Sequence, residues 1–471
     1  MVLLSGCKPA EPPEIEPQEE VFAGVVLRMA VVDDAPLAKA LLLARGEWEA
    51  QSGAVFDLVE ISPAEAGEYD WSAVDVVLGA PHLAGILSRQ ASLAPVPSSL
   101  IATEEAGGWA DLFELPRLQE AAWGAQIVGV PFGTPLLTCY FRSDLFEVIE
   151  ESPPQTWADY QRIAERITDR ENLPEGFRAP DAPWHAVAEP LGPGWAGITF
   201  LARGATYAKH RNRYATLFDI QTMDALLENP ALVRALRELV EAARLGPEEQ
   251  LTWGPADVRA AFWQGRCGLA LTWPSGAEVA APPVVDETVR AGIVELPAGR
   301  EVFEPTRGEW QRRRPVEERR IPLLSASGRM GFVLGHCEHP EAAFQTLAWL
   351  SGVHAEGTIA ARSPATTLYR RSHLARPQDW VEPPLPLSAA LDYALLTQAS
   401  MRRLEFLSVP RIPGREEYLA ALDGAVHRAV AEGQPPAEAL AQCAAAWDAI
   451  TDRLGRSAQR AAYLASLGVE P

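Results

Sequence analysis

Lysine is almost absent from this chain. Of 41 basic residues among 471, only Lys8, Lys39 and Lys209 are lysine, and the other 38 are arginine. Basic residues are also outnumbered by 63 Asp and Glu, which leaves a net charge of −22. A surface of that sign repels phosphate backbones, and eight histidines are too few to reverse it. Nucleic acid is excluded as a partner. Cysteine is scarce at five, and the spacing contains no CxxC pair, so neither a zinc ribbon nor a dithiol redox motif is present. No run approaches the roughly 18 apolar residues that a membrane-spanning helix needs. The GxSxG, HExxH and GxxxxGK[ST] signatures are missing, which removes the motif-borne routes to hydrolysis and nucleotide binding. There is no internal repeat.

What remains is ordinary globular composition, 48% hydrophobic and 22% charged. At about 150 residues per domain, the length suggests two or three cores. Short apolar runs alternate with helical periodicity from Val25 onward. Strands are expected at residues 25–32, 55–61, 74–78, 126–131, 136–141, 268–272, 291–296 and 331–334. Helices are expected at residues 36–51, 144–151, 156–168, 195–203, 222–227, 230–245, 256–264 and 340–350, with the last hundred residues mostly helical. Thr156 stands where a helix cap belongs, with Asp159 in the first turn. Residues 300–322, polar and carrying Arg312, Arg313 and Arg314, read as a surface excursion. Strands separated by helices argue for a mostly parallel sheet covered on both faces.

Four constellations invite a chemical reading, and each has a plainer one. Residues 192–197 satisfy GxGxxG, with Asp219 at the distance of a ribose-binding acid. The preceding run contains Glu189 and Pro190 instead of a β-branched strand, and Trp195 would crowd a pyrophosphate, so a turn entering a helix is the better reading. His336, Cys337 and His339 cluster, but they immediately precede Pro340 and Glu341, the pattern of a helix start. No metal or cofactor is expected. Cys139, Cys267, Cys337 and Cys443 allow three pairings, and their apolar neighbourhoods favour buried free thiols. Tryptophans in or beside turns, among them Trp71, Trp109, Trp123, Trp195, Trp253 and Trp273, are candidates to cover the apolar face of a sugar ring, although most tryptophans fill cores.

The N-terminus carries Leu4-Ser5-Gly6-Cys7, the arrangement of a bacterial lipoprotein processing site, followed by a Pro- and Glu-rich stretch that reads as a tether. Met1 to Leu4 does not supply the charged start and apolar core of a signal peptide. Further on, the motifs fall into an order. WSAVDVVL at residues 71–78 is followed by Leu93-Ala94-Pro95, then Gly129-Val130-Pro131-Phe132-Gly133, then Tyr140 to Phe146 (YFRSDLF). PQTWADY at residues 154–160, FWQGRCGLA at residues 262–270 ahead of Trp273-Pro274-Ser275, and Pro410-Arg411-Ile412-Pro413 ahead of Tyr418 complete the set. In that order the chain resembles the extracellular solute-binding proteins of ABC importers, specifically the carbohydrate-binding family that includes maltose- and oligosaccharide-binding proteins.

That resemblance implies an α/β, two-lobe periplasmic-binding-protein-like fold (type II), with chain crossings near Thr134, Pro297 and Ser372. The expected division is a tether at residues 1–24, an N-terminal lobe from residues 25–133 and 298–372, and a C-terminal lobe from residues 134–297 and 373–471. It places Trp273 after the strand that presents an aromatic ring to the sugar, with Ser275 beside it. Phe132 and Thr134 lie at the first crossing, where relatives place a polar or acidic contact. Glu189 and Trp195 occupy a loop that contributes a carboxylate and a ring, and Arg411 and Tyr418 lie ahead of the closing helices. After the strand ending at Leu78, relatives use an aromatic and an acid, where this chain has Gly79 and His82. The implied function is capture of a sugar or oligosaccharide between the lobes and delivery to an ABC permease, without chemistry, by a monomer tethered through a lipid on Cys7 at the periplasmic or cell-surface side of the membrane. The alternatives are a carbohydrate-active enzyme using cleft carboxylates and a sensing receptor without a permease.

Overall fold

The structure, a computed structural model, describes residues 21–103, 107–168, 173, 183–313, 319–352 and 359–470. Cys7 and most of the tether lie outside them. Two sheets organise the chain. The first has five strands in the order Val55–Ile61, Val26–Val32, Val76–Gly79, Arg329–Val333, Gly129–Gly133. Its first three strands are parallel, and Arg329–Val333 runs antiparallel to both of its neighbours. The second sheet has the order Ala291–Glu295, Thr138–Arg142, Cys267–Thr272, His185–Ala188. Every residue of Cys267–Thr272 is buried, which is why that segment reads as a continuous apolar run instead of an alternating one.

Local chemistry sets the element ends. The helix Ala35–Ser52 starts where the Asp34 carboxylate accepts the Leu37 N–H at 3.0 Å, and it stops at Gly53, whose φ of 75° suits the left-handed cap. The helix Trp157–Thr168 opens with a reciprocal cap: Thr156 N–H donates to Asp159 at 2.9 Å, and Asp159 N–H donates to the Thr156 hydroxyl at 3.2 Å. The helix Ala196–Ala208 follows the glycine-rich turn, and Asp423 accepts N–H groups from Gly194 and Gly197 at its start. That turn serves the helix, as its sequence context suggests. The helix Arg415–Ala431 packs on Ala196–Ala208 and on Pro436–Leu454, building the second lobe from the end of the chain.

Two expectations need correction and a third gains detail. The sheets are mixed instead of mostly parallel: in the second, only His185–Ala188 runs parallel to its neighbour Cys267–Thr272, and the other two pairings are antiparallel. Residues 222–227 form turns instead of a helix, because Asp219 accepts the N–H groups of Gln221 and Thr222 and Met223 takes a φ of 61°. The excursion after Arg300 contains a hairpin, Glu301–Glu304 paired with Glu309–Arg312, turned at Gly308 with φ 69°.

The chain passes between the sheets at residues 134–137, again between Glu295 and Arg329, and again beyond the helix Pro340–Ser351. One apolar core runs through the junction, from Leu27 and Phe132 through Leu136 and Tyr140 to Trp263. Among the described residues, no helix is long and apolar enough to cross a membrane.

Candidate functional site

The strand ends of the first sheet deliver charged groups to the seam between the lobes. At the end of Val26–Val32, Asp33 sits at φ 54°, a left-handed conformation that a non-glycine residue holds only under constraint. The constraint is visible: Arg329 Nη2 donates to the Asp33 carbonyl at 2.7 Å while its Nε donates to the Asp34 carboxylate at 2.8 Å. Ser363 donates to the same Asp34 oxygen. Asp34 is therefore fully committed, whereas the Asp33 side chain is exposed and makes no hydrogen bond to the described residues. Partial burial raises the Asp33 carboxyl above its usual range, Arg329 offsets part of that, and the charges of Asp34 and Glu416 add to it. Glu416 belongs to the other lobe.

The second lobe supplies rings. Trp195, half-buried at the helix start, and Trp273, 5% exposed after its strand, lie 5.3 Å apart centroid to centroid at 50°. Trp273 Nε1 donates to the Pro364 carbonyl at 3.3 Å, so the pair abuts the segment that holds Asp34 through Ser363. The Trp273 backbone is fixed in turn, its carbonyl accepting from Arg259 at 2.8 Å. A groove of about 570 Å³ runs along one face of Ala35–Ser52, lined by Pro36, Lys39 and Leu43, with Glu278 and Val279 of the second lobe opposite; neither tryptophan lines it. That volume lies within the usual range of ligand sites.

His82 lies in the seam with its side chain 18% exposed, its Nε2 3.7 Å from Glu416, and its Nδ1 without a partner. Burial holds its pKa well below the usual histidine range, and Arg415, Arg329 and Arg411 act in the same direction. His82 is thus neutral, able to donate or accept.

The remaining sequence candidates sit elsewhere. Glu189 is completely buried and paired with Arg203 at 2.6 Å, with Arg203 stacked 3.9 Å over Trp157. It is a core ion pair, not a cleft carboxylate. Phe132 is likewise fully buried in the core of the first lobe. Tyr418 is sealed inside the helical layer, its hydroxyl bonded to Thr451 and Gln459. Ser275 is buried, with its N–H taken by Glu382 at 3.0 Å. Thr134 is 2% exposed and donates to Glu120 and to the Ser327 carbonyl. Arg411, 1% exposed, spends its donors on the carbonyls of Glu120, Ala122 and Ser466, and burial pulls its pKa down to about 10. Glu189, Phe132, Tyr418 and Ser275 are committed within their lobes, and Thr134 and Arg411 join the lobes with their polar atoms already bonded to protein, so none of the six is free to meet a ligand. Of the other candidates, Trp273 bonds across the seam to Pro364 with Trp195 packed on it, and His82 lies against Glu416; Asp33 and Arg329 stand nearby without a sequence motif of their own.

Among the described residues no three His, Cys, Asp or Glu side chains gather as a metal would require, and His336 instead bonds the Val74 carbonyl at 2.8 Å.

The family model for bacterial extracellular solute-binding proteins matches residues 59–353, more than half of the chain. No curated protein matches. Similar solved structures include a solute-binding protein of an ABC transporter from Agrobacterium radiobacter in complex with ribitol, at 18% identity and a TM-score of 0.64 over 91% of this chain and 99% of that one. The maltose-bound MalE3 of T. maritima is similar at 17% identity and a TM-score of 0.63, over 90% of this chain and 100% of that one. The sugar-binding MalE of Xanthomonas citri is similar at 17% and 0.64, over 91% and 98%. These likenesses carry the two-lobe fold. With the family match they establish that this chain belongs to the bacterial extracellular solute-binding proteins, a family of binding proteins.

Proposed function

We propose that the chain captures a sugar or polyol between its lobes and hands it, unaltered, to an ABC permease on the outer side of the membrane. The observation that carries this reading is the seam itself. One lobe offers an uncommitted carboxylate at Asp33, and the other offers the rings of Trp195 and Trp273. A ring covers the apolar face of a sugar while a carboxylate accepts from its hydroxyls, and both are needed at once only when the lobes approach. Two of the similar structures named above hold ribitol and maltose, which fits a hydroxyl-rich ligand. Ligand binding then shifts the balance between lobe arrangements and reports occupancy to the permease. A lipid on Cys7 would keep the receptor at the membrane, and monomeric action suffices because both halves of the site come from one chain.

Asp34 is held by Arg329 and Ser363, so it is not free to act as an acid or base, which supports binding over catalysis. The test is a thermal-shift screen against monosaccharides, oligosaccharides and polyols, followed by recovery of the bound compound. A raised melting point with intact ligand is expected. A hydrolysed product, or no response across all three classes, would overturn the reading.

A further inference from the structure

We propose that the buried carboxylate of Glu120 is the pin of the hinge, a positioning residue that holds the chain crossings in the arrangement bringing the two halves of the site together. Glu120 ends the short helical segment Pro116–Glu120 in the first lobe and is 2% exposed. Its Oε1 accepts from donors on two different crossings: the Thr134 hydroxyl at 3.2 Å on the first, and Ser325 N–H at 2.7 Å and Ser325 hydroxyl at 3.0 Å on the second. A third connection reaches the same residue through its backbone. Arg411 donates to the Glu120 carbonyl at 2.5 Å and to the Ser466 carbonyl at 2.7 Å, linking the first lobe to the closing helices.

The segments that meet at Glu120 also run together before they reach it. Leu407–Ser408, just ahead of Arg411, pairs in parallel with Leu323–Leu324, just ahead of Ser325. Ser325 takes a φ of 60°, which a non-glycine residue keeps only where its surroundings impose it, and the Glu120 carboxylate takes both of its donors. Beyond it, Gly328 at φ 118° passes so close to the first crossing that a Cβ there would meet the Gly133 carbonyl at 2.8 Å. The next residue is Arg329, which carries Asp33 and Asp34. A displacement at Glu120 therefore propagates along four residues to the floor of the seam.

An ionised carboxylate out of water is costly unless it is well bonded. Burial raises the Glu120 carboxyl, while Ser325, Arg411 and Thr134 each offset part of that. The carboxylate's two bonding partners, Thr134 and Ser325, lie on the crossings and share one oxygen while the other stays buried without a partner, so rotating the lobes apart stretches the bonds that make the burial tolerable.

This inference rests on the reading that ligand is captured by lobe approach, and the test is made without ligand so that the two can fail separately. In a Cys7→Ser background, nitroxide labels are attached at Val26→Cys in the first lobe and Val148→Cys in the second. Both positions are 54% exposed, and the four described native thiols are buried. Electron–electron distance measurements then compare the parent with Glu120→Ala, Glu120→Gln and Thr134→Val. The expected result for Glu120→Ala is a longer-distance population, with the ratio of separated to apposed lobes up by about tenfold. Glu120→Gln, which keeps an oxygen acceptor, restores the parent distribution. Thr134→Val, which removes one donor from a single crossing at equal size, moves the same way by less and decides the matter if the alanine variant does not fold. A parent-like distance distribution in the alanine variant, with only a lowered melting point, would overturn the proposal and make Glu120 a packing residue.

Discussion

Trp195 and Trp273 meet at 50° across 5.3 Å, but they are not equivalent. Trp273 is 5% exposed and donates its indole N–H to Pro364, so it belongs as much to the core as to the site. Trp195 is half-buried and packs against the edge of the same core.

The two rings should therefore separate binding from folding. Trp195→Ala is expected to weaken binding of the sugar or polyol found by screening about tenfold, with a loss of stability under about 1 kcal/mol. Trp273→Ala is expected to cost about 3–5 kcal/mol of stability in addition to affinity. Calorimetric titration paired with urea unfolding reads both, and unchanged affinity in Trp195→Ala would remove that ring from the site.

Glu189 offers the opposite case. Its replacement by alanine strands Arg203 as a buried unpaired cation, which is expected to cost about 3–5 kcal/mol. Replacing both partners, Glu189→Leu with Arg203→Met, should recover most of that loss. Ligand affinity of the folded double variant should match the parent, and a selective affinity loss would return Glu189 to the site.

Stability should fall on mild acidification. His82 and His373 are both held neutral by burial, with pKa values well below 6.5, so the unfolded chain takes up protons near that pH while the folded chain does not. The contribution is complete above about pH 6.5 and is lost below it, at about 1.4 kcal/mol per pH unit for each histidine. Denaturant titrations between about pH 7 and 5 measure the slope, and His373→Gln should flatten it by one proton. An unchanged slope in that variant would show that His373 titrates normally.

The cysteines should be inert. Cys139, Cys267, Cys337 and Cys443 are free and buried, and burial pushes the thiols of Cys267 and Cys443 up to about 12. Alkylation of the native protein at mildly basic pH, mapped by peptide mass, should leave all four unmodified, and all four should react once the chain is unfolded. A native-state adduct on any of them would reveal local opening.

These cases also mark what a sequence can carry. Cys267–Thr272 and Val26–Val32 are legible because a buried strand needs an apolar run, and the cap at Thr156 and Asp159 is legible because both partners lie within one turn. Thr222 to Leu227 misleads because its apolar spacing matches a helix while Asp219 ties its first residues into a turn. The site is less legible still. Glu189 and Arg411 look like ligand groups because they are charged residues in loops, yet their partners are Arg203 and a set of backbone carbonyls that only the fold brings near. Asp33 left one signal, a pair of aspartates between a strand and a helix, of which the second is the cap and the first is left over.

The strand order of the first sheet has a temporal consequence. Arg329–Val333 sits between Val76–Gly79 and Gly129–Gly133, so that sheet stays split until residue 329 has been synthesised, long after all four strands of the second sheet are available. The sheet of the C-terminal lobe can thus form first although it begins later in the chain, while the N-terminal sheet waits with unpaired strand edges and the helical layer of the C-terminal lobe waits for Arg415–Ala431 and Pro436–Leu454. Such distant pairings slow folding and lengthen the time a nascent polypeptide remains open.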